Sequence, residues 1–108
     1  MNKLQFCFYA PSSHVETVKN AVFMAGAGKI GNYNSCSWQT VGVGQFIPEK
    51  GSNPTIGIEN NLTTVSEVLV QIICEKDKMP KILQAFIAAH PYEEPAYYIL
   101  PILTKEDF

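Results

Sequence analysis

Residues 64–75 read "TVSEVLVQIICE", a run of apolar β-formers interrupted only by Ser66, Glu67 and Gln71. A strand wetted on one side alternates apolar and polar residues, whereas one covered on both sides is apolar almost throughout. The run therefore predicts a central strand, around which a sheet must be built. Downstream, "KDKMPKILQAFIAA" (76–89) predicts a helix with Asp77 as its cap and Pro80 in its first turn. Its inward residues are Ile82, Leu83, Phe86 and Ile87. "HPYEEP" (90–95) ends the helix, "AYYILPIL" (96–103) is a further strand, and "TKEDF" (104–108) reads as a loose tail.

Upstream, the same order appears in mirror. "KLQFCFY" (3–9) alternates and is aromatic, as a strand should be. Ser13 and Glu16 have capping-box spacing, and Val15, Val18, Val22 and Ala25 form one helical stripe. Gly26 or Gly28 is the natural stop. Residues 35–47, "SCSWQTVGVGQFI", form a strand in which Gly42 and Gly44 predict a bulge or bend. Residues 48–63 hold Pro48, Gly51, Pro54 and Gly57 and read as a long loop. The order β-α-β-β-α-β predicts an α+β, ferredoxin-like sandwich: a four-stranded antiparallel sheet with two helices on one face. One domain spans 1–108, with its core at about 3–102 and 103–108 as tail.

This topology sorts the chain by end. Pro11 to His14, the loop 48–63 and "HPYEEP" share one end of the sheet; "GAGKIGNY" (26–33), Cys36 and Cys74 share the other. The face without helices receives Cys7, Tyr9, Leu69, Ile73 and one of Tyr97 or Tyr98. So apolar a face predicts self-association.

Composition narrows the function. One hundred and eight residues make one domain, and 46% hydrophobic with 17% charged residues is globular. The net charge is −2 and all eight basic residues are lysine, so bidentate phosphate and guanine contacts are missing and no nucleic acid partner is expected. Three cysteines without a C-x-x-C spacing predict reduced thiols in the cytoplasm. No stretch approaches the length of a membrane span.

The chemistry-bearing residues gather in "HPYEEP". One reading makes His90 and a glutamate a metal or acid–base site, with His14 recruited across the sheet end. The other makes Pro91 a helix stop and Glu93 and Glu94 acceptors for loop amides or a neighbouring chain. The second is favoured, because hydrolytic metal centres need about three protein ligands. "GAGKIGNY" follows a helix instead of opening one, so it is not a phosphate loop. Cys36 and Trp38 read as aromatic–thiol packing or as part of a pocket. Glu67, alone among apolar neighbours, reads as a carboxylate facing a partner subunit. No catalytic constellation is complete, and a non-enzymatic role is favoured.

The run "GAGKIGNYNSCSWQTVGVGQFIPEKGSNPTIG", then "SEV" and "AHPYEEPAYYI", resembles the domain inserted in the dinuclear-metal proteins called GTP cyclohydrolase I type 2 homologues, or NGG-one-interacting factor three. The resemblance covers about residues 3–102, here read as a stand-alone chain. That inserted domain is similar to PII and CutA proteins, which implies a trimer with ligand or partner contacts between subunits. In the full-length family the two metals sit in flanking lobes, so hydrolytic chemistry does not transfer. What transfers are positions: His90, Tyr92, Glu93, Glu94, Glu67, Asn32, Tyr33, Cys36 and Trp38 as ligand or subunit contacts. The family often carries arginine and glutamate where this chain has Leu69 and Gln71, so a charge network there is reduced. The expected function is a PII/CutA-like oligomeric module for small-ligand sensing or protein interaction. The alternative is CutA-like binding of a divalent metal by His14, His90 and Glu93.

Overall fold

The computed structural model describes residues 2–108. Its elements are β1 (Lys3–Pro11), α1 (Val15–Met24), β2 (Trp38–Phe46), β3 (Thr63–Glu75), a 3₁₀ turn (Lys76–Lys78), α2 (Met79–Ala89), β4 (Tyr97–Ile102) and a closing 3₁₀ turn (Lys105–Asp107). The expected β-α-β-β-α-β order is present. All pairings are antiparallel, in the sheet order β2-β3-β1-β4. The longest strand, β3, is central, as its sequence requires.

Parity along β3 defines the two faces, because side chains alternate along a strand. Val68, Val70, Ile72 and Cys74 face the helices together with Phe6, Phe8 and Ala10 of β1. Val15, Val18 and Val22 of α1 and Met79, Ile82 and Phe86 of α2 close over them. Phe6, Phe8 and Phe86 meet with ring centroids 5.1–5.4 Å apart. Full burial of each such ring contributes about 1.5–3 kcal/mol.

Four local expectations fail, each for a physical reason. The Ser13/Glu16 capping box does not form: α1 starts at Val15, and the Ser13 hydroxyl bonds His14 Nδ1 at 2.8 Å instead. Asp77 does not cap α2, because it lies inside the 3₁₀ turn that precedes it; Lys78 holds the cap position without a side-chain bond. Ile87 is 52% exposed, since α2 buries the narrower stripe of Met79, Ile82 and Phe86. The tail is not loose: Thr104 and Asp107 form a capping box, with the Thr104 amide donating to Asp107 Oδ2 at 2.8 Å.

Gly42 and Gly44 make no bulge. The β2–β3 register runs unbroken from Trp38↔Gln71 to Phe46↔Thr63. β1 ends its pairing at Glu67, so the outer part of the β2–β3 hairpin extends past the rest of the sheet. The molecule is accordingly elongated, 49 × 22 × 21 Å, with a radius of gyration of 15.1 Å against the ~13 Å usual at this length. No helix among the described residues is long and apolar enough to cross a membrane.

Candidate functional site

The end of the sheet from which the hairpin projects holds most of the expected site. Pro91 cannot continue a helix and pushes His90 into extended backbone (ψ 136°), so α2 stops there. The stop turns the His90 ring into the protein, where it is 7% exposed. The Tyr92 amide donates to His90 Nδ1 at 3.1 Å, which leaves the Nε2 proton to be donated to the Tyr9 carbonyl at 2.7 Å. Both ring nitrogens are thereby committed, and the tautomer is set. Burial pulls the His90 pKa below its usual 6.5, against the Tyr9 carbonyl, which pushes the other way; the nearby His14 lowers it slightly further.

Beyond His90, the turn is laced to the long loop. Glu93 Oε2 accepts the Asn53 amide at 2.8 Å, and the Thr55 hydroxyl donates to the Pro91 carbonyl at 2.6 Å. Between loop and turn lies a cleft of about 450 Å³, within the usual range for small-molecule sites. Phe46, Pro48 and Ile56 give it apolar walls; Glu49, Glu67, Glu93 and Glu94 supply carboxylates, and no lysine lines it. Such a lining disfavours anions such as phosphate.

Glu67 reaches this cleft because Gly44 has no side chain. A β-carbon at Gly44 would lie 1.8 Å from Glu67 Oε1, so the carboxylate rests on bare backbone. It stands on the helix-free face, opposite Pro11 and Gly42. The Tyr92 hydroxyl is buried nearby, and no hydrogen bond of ordinary geometry satisfies it. Burial first, and then the Glu67 charge, push the Tyr92 pKa up to about 12. Tyr92 is therefore a neutral hydroxyl facing a carboxylate, able to donate a proton in a hydrogen bond to whatever completes the site.

The structure thus brings together Glu67, Tyr92, Glu93 and Glu94 around one cleft, with His90 buried behind it as a brace. Asn32, Tyr33, Cys36 and Trp38 are at the other end of the sheet and take no part in it. Asn32 and Tyr33 are exposed, while Cys36 and Trp38 line a separate cavity. The metal set His14, His90 and Glu93 does not converge: His14 is exposed and bonded to Ser13, and His90 and Glu93 hold backbone groups. Among the described residues, no three His, Cys, Asp or Glu side chains are grouped to hold a metal ion. The seat at Gly44 was missed in the sequence. Its signal in the sequence is the G-x-G pair beside the lone Glu67, a pattern that equally predicts a bulge or bend.

The helix-free face carries the expected residues, and of the two tyrosines it is Tyr98 that points there, opposite Cys7. Leu100 beside it is 46% exposed. At the sheet edge β2 is exposed on both faces, with Trp38 at 58% and Val43 at 79%.

Comparison with known proteins agrees with the resemblance. No protein-family model matches the chain. The GTP cyclohydrolase 1 type 2 homolog of Mycobacterium leprae is 41% identical over 99 residues, which is 92% of this chain and 26% of that protein. A Bacillus cereus protein related to NIF3 superposes with a TM-score of 0.81 at 35% identity, over 94% of this chain and 26% of the other. The chain therefore spans about a quarter of the relatives it matches. Among smaller proteins, the periplasmic divalent cation tolerance protein CutA from Archaeoglobus fulgidus gives a TM-score of 0.68 at 16% identity, covering 97% and 90% of the two chains. Arabidopsis thaliana PII gives 0.55 at 15%, covering 94% and 78%. The fold is PII/CutA-like.

Proposed function

We propose that this chain is a non-enzymatic PII/CutA-like module that self-associates, with a trimer favoured, and binds a small ligand or a protein partner in the cleft at the hairpin end. The single observation that carries this reading is the projecting β2–β3 hairpin. An edge strand exposed on both faces, with Trp38, Val41 and Val43 in water, is an unfinished surface in a lone chain. At the opposite edge of the sheet, β4 exposes Leu100 and Tyr98 on the helix-free face. A neighbouring copy would cover these residues and wall the cleft that Glu67, Tyr92, Glu93 and Glu94 begin. Three free cysteines fit a reducing, cytoplasmic setting.

Sedimentation velocity at micromolar concentration tests the assembly. A species of three chains is expected, and Leu100→Glu should dissolve it while leaving the monomer folded by circular dichroism. A stable monomer at that concentration would overturn the proposal.

A second reading, divalent-metal binding, draws on the cation-tolerance name of the Archaeoglobus neighbour. It asks His90 to give up one of its two hydrogen bonds. Calorimetry with copper, zinc and nickel decides: micromolar binding that disappears in His90→Ala supports it, and no heat for any metal ends it.

A further inference from the structure

The long loop between β2 and β3 is closed at its foot, where the Asn60 amide donates to the carbonyl of buried Pro48. Next, the Ser52 amide and hydroxyl both donate to the Glu49 carbonyl, at 3.0 and 2.7 Å, and make a tight turn. Beyond that turn the bonding changes. Among the described residues, no backbone group from Asn53 to Gly57 bonds to another backbone group. The segment is held instead by two bonds to the turn after α2: the Asn53 amide to Glu93 Oε2 and the Thr55 hydroxyl to the Pro91 carbonyl. Both bonds are exposed to water.

A glycine stands at either end of this segment. Gly51 has a φ of +93° and Gly57 a φ of +98°, a backbone region that glycine enters freely. Between them, Pro54 fixes its own φ and restricts Asn53 before it, so the middle of the segment is stiffer than its ends. Pro54 and Ile56 are half-buried and line the acidic cleft, whereas Ser52, Asn53 and Thr55 are exposed. A stiff piece between two pliant glycines, held by two wetted bonds and two half-buried side chains, opens far more readily than the core unfolds.

We infer that residues 51–57 are a strap that hinges at the two glycines and opens as one unit, uncovering the acidic cleft, with Glu93 and Thr55 as its latch. Opening takes Pro54 and Ile56 out of the cleft wall. It also frees the Glu93 carboxylate from the Asn53 amide, so the open cleft is wider and has one more unengaged negative charge. As a gate, the strap rests on the reading of that cleft as a binding site; as a hinged unit it does not.

Hydrogen exchange at the Asn53 amide, followed by NMR on the full chain without ligand, reads the opening. That amide should exchange more slowly than an unbonded one and faster than those of Val70 and Ile72, which report on the central strand. Thr55→Val deletes a bond in which Asn53 takes no part. It should nevertheless speed exchange at Asn53 about fivefold, the worth of one hydrogen bond, because both bonds close the same strap. Val70 and Ile72 should keep their wild-type rates. Unchanged exchange at Asn53 in Thr55→Val overturns the inference, since the two bonds then break separately. So does equal acceleration at Asn53, Val70 and Ile72, since the segment then opens only with the whole fold. Exchange at Asn53 as fast as at an unbonded amide in the wild type also overturns it, because no latch holds. A cleft that binds nothing would leave a positive result intact, and a strap that stays shut would leave the proposed binding function intact.

Discussion

His90 illustrates what burial does to a titratable side chain. Its ring bridges the Tyr9 carbonyl and the Tyr92 amide as a neutral tautomer, and burial lowers its pKa. The unfolded chain binds the proton at the ordinary 6.5 and the folded chain only at lower pH. The stabilisation is therefore complete above 6.5 and is lost as pH falls through the folded value. The melting temperature should decline from pH 6.5 downward, and His90→Gln should flatten that decline while His14→Gln leaves it in place. At neutral pH His90→Ala removes a partner from two backbone groups, and urea unfolding should show a loss of about 1–3 kcal/mol. Tyr92→Phe deletes a buried hydroxyl that faces Glu67 without a hydrogen bond of ordinary geometry, so it should be nearly neutral in the same measurement.

Among elements, the loop before β3 and the turn after α2 stabilise each other through a few bonds. Glu93→Gln weakens the acceptor for the Asn53 amide and should lower stability by under about 1 kcal/mol, because that carboxylate is exposed. Among the described residues Glu94 lines the cleft without a hydrogen bond or ion pair, so Glu94→Gln should leave the melting temperature unchanged. The fastening role read into both glutamates belongs to Glu93. Gly44→Ala must displace the Glu67 carboxylate, which is the end of a flexible side chain. Its cost in stability should be small. It should nevertheless move the tyrosinate absorbance transition assigned to Tyr92 below about 12, since Glu67 helps to hold that value up.

For the whole molecule, the helices and sheet make one conventional core and one unfinished surface. Phe86 touches both Phe6 and Phe8 and is fully buried, so Phe86→Ala should cost about 3–5 kcal/mol, read by urea unfolding. Val43 is as apolar but stands in water in the single chain. Val43→Lys should leave monomer stability within about 0.5 kcal/mol and lower the sedimentation coefficient of the assembly. If Val43→Lys unfolds the monomer instead, the projecting hairpin is not a free surface.

Periodicity, punctuation and order were enough to predict the four strands, both helices and the two ends of the sheet. The apolar run of β3 could be nothing but central, and Pro91 could only end α2, because each follows from the local needs of backbone and solvent. Ser13 and Asp77 misled because capping depends on where the first turn starts, and packing of the chain before it shifted that start. Gly44 and Glu67 are on different strands, and their contact exists only in one register. The pairing of His90 with Tyr9 likewise joins residues 81 positions apart. Contacts across such distances are set by which surfaces meet, so the carboxylate seat, the committed imidazole and the separate tryptophan cavity were decided by the tertiary structure alone.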